Sequence, residues 1–176
     1  MNHNPQDELV WIVDKENRPI AWAKRGKMRE KRLIHRSTYI LIQDEKDRML
    51  VQKRTDTKDV YPGLWEIAAG GVVAYGEDYM ESALRELSEE TGIKGVPLME
   101  HFDFYFEDSH NRLWGRVFSC KYSGTIVPQK EEVQVSFFAD KRQMSKLLRN
   151  EKFTPDSYFL MDLIKKKGIT PFDRLL

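Results

Sequence analysis

The chain has 176 residues and sets 29 Lys and Arg against 28 Asp and Glu, a formal charge of +1, so one well-buried domain is expected. The two signs of charge are interspersed, which argues against a nucleic-acid face. No apolar run approaches the roughly 20 residues that cross a bilayer, and a single cysteine, Cys120, excludes an intrachain disulfide framework. With no signal-peptide core in residues 1–5, these features together predict a cytoplasmic protein.

Apolar residues 9–13 and 20–23 flank Asn17-Arg18-Pro19 and predict a β-hairpin. A short helix is expected over 26–33, so that residues 1–33 form an N-terminal hairpin and helix packed on a core domain of residues 34–176. The hairpin either covers the active site or meets a second copy of the chain in a homodimer. The basic run Lys24, Arg25, Lys27, Arg29, Lys31, Arg32 and Arg36 reads as the polar face of a helix or as an attractor for an anionic substrate. Residues 37–42 and 49–54 read as strands around a turn at 44–47. Lys53 and Arg54, ending the second strand, are candidates to hold phosphates, with plain surface charge as the alternative.

A loop with Pro62-Gly63 leads to a strand at 64–67 and then to Ala68-Ala69-Gly70-Gly71. Glycines there let the backbone approach a ligand or metal closely. A helix follows, ending at Gly92. Residues 101–106 and 113–120 alternate as a strand pair, Glu131 and Glu132 precede a strand at 133–138, and two helices begin near Lys141 and Pro155. Thr154, Asp156 and Ser157 give the last helix a good N-terminal cap arrangement. Strands and helices mix without strict β-α-β alternation, which predicts an α+β fold: a mixed β-sheet sandwiched between helices.

Between Gly71 and Ile93 the sequence fills every specified position of G-x5-E-x7-R-E-U-x-E-E-x-G-U, where U is aliphatic: Gly71, Glu77, Arg85, Glu86, Leu87, Glu89, Glu90, Gly92 and Ile93. A chance match at a given start is on the order of one in a billion from average residue usage. On a helix turning about 100° per residue, Glu90 and Glu89 lie roughly 40° and 60° to either side of Glu86. Met80, Ala83, Leu84 and Leu87 fall on the adjoining side and are expected to pack on a core. Carboxylates crowded on one stripe repel one another. A hard divalent cation relieves that repulsion, and Mg²⁺ or Mn²⁺ suits all-oxygen ligands.

This segment resembles the signature box of the Nudix hydrolases, and the likeness extends from about residue 34 to about residue 164. The resemblance implies a metal-dependent hydrolase that cleaves a pyrophosphate linkage in a nucleoside diphosphate linked to another moiety, or in a related small-molecule diphosphate. It implies Glu86 and Glu90 as metal ligands, Glu89 as a third ligand or the base, and the carbonyl of Gly70 as a backbone ligand. Arg85 would orient the carboxylates and Glu77 would brace the turn into the helix. Glu132 is the loop candidate for general base, weighed evenly against a solvated loop glutamate. The flanking sequence, including His35 and Tyr61-Pro62-Gly63-Leu64-Trp65, also resembles isopentenyl-diphosphate isomerase. That enzyme needs a cysteine and a histidine where this chain has Gly70 and Val72, so the isomerase reading is disfavoured, and His35 reads as structural. A non-catalytic nucleotide-sensing module is the remaining alternative, although no box glutamate is missing.

Overall fold

The computed structural model describes residues 4–176; Met1, Asn2 and His3, part of the segment read as lacking a signal-peptide core, lie outside the described residues. The expected hairpin is present as β1 (Leu9–Val13) and β2 (Pro19–Lys24), antiparallel with Trp11 opposite Trp22. Its turn is built by Asp14, whose carboxylate accepts the N–H groups of Glu16 and Arg18 at 2.9 Å each. Asn17 takes the left-handed backbone the turn requires, at φ 62°, a conformation Asn tolerates better than most residues. Helix α1 (Arg25–Glu30) follows. Val10, Ile12, Ala23 and Met28 pack with Val72, which fastens hairpin and helix to the glycine run.

The sheet is organised around β3 (His35–Gln43). One edge of β3 runs parallel to β7 (Arg112–Lys121), from His35 opposite Leu113 to Gln43 opposite Lys121. Strand β6 (Met99–Glu107) then pairs antiparallel with β7, as the alternating pattern predicted. Along the other edge the glycine run lies antiparallel, with Ile40 N–H donating to Ala69 at 2.7 Å and Thr38 N–H to Gly71 at 2.9 Å. Strand β4 (Met49–Arg54) turns back from β3 and pairs with both β5 (Trp65–Glu66) and β8 (Val133–Ala139).

Strand alternation sends side chains to two cores. Leu41, Met49 and Val51 face one side, where Met144 of α3 (Lys141–Asn150) and Leu160 and Ile164 of α4 (Pro155–Lys167) cover them. Ile40, Ile42 and Leu50 face the other, against Tyr79, Ala83 and Leu87 of α2 (Tyr79–Thr91). The sheet is therefore mixed and covered by helices on both faces, the architecture expected from the sequence. A last turn of helix, α5 (Phe172–Leu175), closes the first core through Phe172. Among the described residues no helix is long and apolar enough to cross a membrane. Cys120 is buried on β7, and burial pushes its thiol up to about 11, which fits core filling.

One expectation about α2 fails. Leu84 is 44% exposed, although the sequence placed it on the packed side. At roughly 160° from Glu86 it lies at the far edge of the apolar stripe, whereas Ala83 and Leu87, at roughly 60° and 100°, face the core.

Candidate active site

Helix α2 carries the box. Its start is fixed by a reciprocal cap: Asp78 accepts the N–H of Glu81 at 2.8 Å, and Glu81 accepts the N–H of Asp78 at 2.9 Å. The D-x-x-E spacing of this capping box stands in the sequence at Asp78 and Glu81. Gly92 ends the helix at φ 75°. The apolar side docks on the second core; fully burying a leucine such as Leu87 stabilises by about 1.5–3 kcal/mol. Docking that side turns the glutamates toward the glycine run.

The approach between helix and glycine run is close. A side chain at Gly71 would place its Cβ 2.5 Å from Glu86 Oε1. At Gly70, φ is +139° and a Cβ would meet the Thr38 carbonyl oxygen at 2.1 Å. Both glycines are needed there, for different reasons: Gly71 makes room for a carboxylate, and Gly70 takes a backbone conformation closed to other residues. The Gly70 N–H donates to Glu90 Oε2 at 3.0 Å.

Arg85 organises the acidic stripe. It binds Glu77 through two nitrogens, at 2.8 and 2.9 Å, and reaches Glu86 at 2.9 Å and Glu89 at 3.0 Å. Glu77 is thereby tied to a helix residue eight positions further on, and its carbonyl accepts the indole N–H of Trp11 at 3.1 Å. The Arg85 hydrogen bonds hold the Glu77 carboxyl below its ordinary value. Glu86 and Glu90 are buried, at 9% and 5% exposure. Burial raises Glu86 to about 7 despite Arg85 beside it. Glu90 is raised well above its ordinary value, first by burial and then by Glu66, Glu86 and Glu132 around it.

Two polar partners of Glu90 lie outside the box. Gln52 Nε2, on β4, donates to Glu90 at 3.2 Å and to Glu66 at 2.8 Å. Gln52 begins the polar end of β4, Gln52-Lys53-Arg54, and nothing in that stretch singles it out. Glu132 stands at the head of β8 and is ion-paired with Lys58 at 2.9 Å. Burial raises its carboxyl most, but Lys58, Arg25 and a hydrogen bond with Glu90 together outweigh it and leave the carboxyl below its ordinary value. Lys58 lies in a loop that offered no pattern to read.

Gln52 apart, these groups line one cavity of about 550 Å³. It takes in Glu77, Arg85, Glu86, Glu89, Glu90 and Glu132 with Gly70 and Gly71, so the structure gathers every box candidate and the loop glutamate. Of the two phosphate-holding candidates it brings in only one. Arg54 lines the cavity and bonds Glu66 at 3.0 Å. Lys53 is not among the lining residues, because on β4 it points opposite to Gln52 and Arg54. The aromatic rings in the lining are those of Tyr39 and Tyr61, and Trp65, Tyr75, Phe104, Tyr105 and Trp114 are absent from it. His35, read as structural, is buried at the cavity wall; it bonds the Leu33 carbonyl at 3.1 Å, and burial lowers it to about 3.

The donor set fits a hard divalent cation by its chemistry. Glu66, Glu86, Glu90 and Glu132 offer only oxygen, and Glu86 and Glu90 are buried beyond what Arg85 alone compensates. Their oxygens are at present engaged by Arg85, Gln52, Lys58 and the Gly70 amide. Accordingly, among the described residues no three acidic, imidazole or thiol side chains stand close enough to enclose an ion without moving. A cation entering here would draw Glu86 from Arg85 and Glu90 from Gln52.

Fold, box and cavity together define a Nudix protein. The NUDIX domain model matches residues 33–160, and the chain belongs to the Nudix hydrolase family. It is 45% identical over 161 residues to the Nudix hydrolase YfcD of Escherichia coli K12, covering 92% of this chain and 88% of the relative. A Nudix hydrolase of Yersinia pestis is 44% identical over 165 residues, covering 93% and 90%. Among solved structures, DR0079 from Deinococcus radiodurans shares the fold at a TM-score of 0.74 and 17% identity, covering 90% of this chain and 98% of its own.

Proposed function

We propose that the protein is a divalent-metal-dependent pyrophosphohydrolase of the cytoplasm. It cleaves a pyrophosphate linkage in a nucleoside diphosphate linked to another moiety, or in a related diphosphate, by attack of water. The observation that carries this reading is the pair of buried carboxylates, Glu86 and Glu90, held on one face of α2 against a glycine run inside a cavity of about 550 Å³. Buried carboxylates of this kind are costly unless a cation compensates them. In this reading Glu86 and Glu90 hold the metal, with Gly70 and Glu89 as further ligands, and Mg²⁺ and Mn²⁺ both suit the oxygen donors. When bound, the ion neutralises phosphoryl oxygens and lowers the pKa of water.

The chain's own groups divide the remaining work. Arg85 fixes the rotamers of Glu86 and Glu89, and Glu77 anchors Arg85 in turn. Glu89 and Glu132 are the two candidates to take the proton of the attacking water. Glu132 stays ionised beside Lys58 and acts electrostatically on Glu90; Glu89 is about half exposed and bound by Arg85. Arg54 is placed to meet substrate oxygens, although Glu66 already holds one of its nitrogens. The isomerase reading is not favoured, because Gly70 and Val72 supply no acid to protonate an alkene.

The test is release of phosphate or pyrophosphate over a panel of diphosphate compounds, with Mg²⁺ and with Mn²⁺, for the wild type, Glu89→Gln and Glu90→Gln. Metal-dependent turnover of one class, lost in Glu90→Gln, is expected. Silence over the panel from a protein that still binds Mn²⁺ would favour a sensing module instead.

A further inference from the structure

The same cavity also carries basic side chains. Arg25 and Arg29 reach it from α1, Arg54 from the end of β4, and Lys58 from the loop beyond. Three of these cations have a close carboxylate: Arg25 with Glu8 at 3.0 Å, Arg54 with Glu66 at 3.0 Å and Lys58 with Glu132 at 2.9 Å. Arg29 is paired more loosely, with Asp59 at 3.9 Å, while its side chain is only 20% exposed. Its Nη1 donates to the Asn111 side-chain oxygen, and among the described residues its buried Nε–H finds no acceptor. Burial, and then Arg25 nearby, lower its affinity for its proton, and Asp59 offsets only part of this.

Arg29 is nevertheless held in place. Asn111 donates to Tyr61 Oη at 3.2 Å, and its own backbone N–H is fixed by Asp108 Oδ1 at 2.7 Å. Tyr61 in turn donates to Asp108. A network anchored on the Asp108 carboxylate thus holds, through neutral Tyr61 and Asn111, a guanidinium whose nearest carboxylate is Asp59 at 3.9 Å. Buried charges are normally paired, and the planar guanidinium fork suits phosphate oxygens. The charges acting most on Arg29 are Arg25, Asp59 and Arg54, whereas those acting most on Glu90 are Glu66, Glu86 and Glu132. Arg29 is not among the charges acting most on Glu86, Glu90 or Glu132, although Arg25 acts on Glu132 and Arg54 on Glu90, and a cavity of about 550 Å³ takes a compound larger than a bare diphosphate.

We infer that Arg29, with Arg25 beside it, forms a subsite for a phosphate group that the substrate carries apart from the linkage being cleaved. The inference rests on the pyrophosphohydrolase reading for what carries the phosphate, and it narrows the substrate to diphosphates bearing a further phosphomonoester. Helix α1 lies before residue 33, where the family match begins, so the subsite is added to the Nudix core rather than built from it.

The test starts without turnover. Inorganic phosphate is titrated into full-length, metal-chelated protein and followed by ³¹P NMR for the wild type, Arg29→Ala, Arg29→Lys and Glu90→Gln. Glu90→Gln, which removes a negative charge from the cavity, is expected to bind at least as well as the wild type, Arg29→Ala about tenfold more weakly, and Arg29→Lys in between. Should Arg29→Ala fail to fold, Arg29→Lys and Arg25→Ala carry the comparison. No phosphate binding by the wild type, or equal binding by wild type and a folded Arg29 variant, overturns the subsite. Kinetics then separate the two readings, using diphosphates matched except for one phosphomonoester. An Arg29 variant should raise KM about tenfold only for the compound bearing it, with kcat kept. Phosphate binding through Arg29 without any hydrolysis removes the hydrolase reading alone, whereas hydrolysis indifferent to the extra phosphate removes the subsite alone.

Discussion

Replacing Gly71 by alanine isolates the geometry of one carboxylate. The new Cβ would stand 2.5 Å from Glu86 Oε1, 2.7 Å from Cδ and 2.8 Å from Oε2. Ordinary contact begins near 3.4 Å, so the carboxylate has to retreat by about 0.9 Å. A misplacement of about 1 Å near the reacting atoms costs on the order of 100-fold in rate. The fold should suffer little by comparison. Gly71 is not held at positive φ, and the clash falls on a side-chain end rather than on backbone, which suggests a cost of about 1 kcal/mol. Thermal unfolding should then shift by no more than about 4 °C. Mn²⁺ affinity by isothermal titration should fall at least about tenfold, and turnover about 100-fold. Gly70→Ala makes the contrast, because its Cβ would meet the Thr38 backbone at 2.1 Å with φ at +139°; that variant should lose stability first. Wild-type metal affinity and turnover in Gly71→Ala would refute the argument, as would a loss that appears only together with unfolding.

Asp78→Ala removes one half of the reciprocal cap on α2 and should cost about 1 kcal/mol, or roughly 2–4 °C in Tm, with metal affinity unchanged. His35 gives an acid dependence. Its folded pKa of about 3 lies below the ordinary 6.5, so the unfolded chain takes up the proton first and stability falls as pH drops from about 6.5 toward 3, by up to about 1.4 kcal/mol per pH unit. Urea unfolding of His35→Gln across that window should show a shallower decline than the wild type; parallel curves would assign the acid loss elsewhere. Lys53→Ala should leave KM for the active diphosphate within about twofold, since that side chain points away from the cavity. A tenfold rise in KM would restore Lys53 as a phosphate contact.

The parts of the molecule legible in sequence were those written over short spans. The box helix shows its apolar and acidic sides through periodicity, and Thr154 before Pro155 marks the start of α4, where it accepts the Ser157 N–H. The hairpin, the β6–β7 pair and the glycine approach follow from alternation and turn residues for the same reason. The other half of the cavity comes together only in three dimensions. Glu66, Lys58, Arg29 and Asn111 line it from four separate segments, Gln52 on a fifth bonds Glu66, and no local pattern says that they meet. Arg29 was visible only as one member of a basic run. Lys53 and Arg54 show the finer difficulty: alternation guarantees that one of two neighbours faces the site, but choosing between them requires knowing which face of β4 meets the core.

The bonds of Arg85 bear on the order of events in making this protein. Its guanidinium already sits among Glu77, Glu86 and Glu89, neutralising part of the charge a metal would neutralise later. The newly made chain can therefore wind α2 and close both cores before any divalent ion arrives. Were Glu86 to take a metal as proposed, maturation would be an exchange of one cation for another at its oxygens, with the displaced guanidinium still tethered to Glu77.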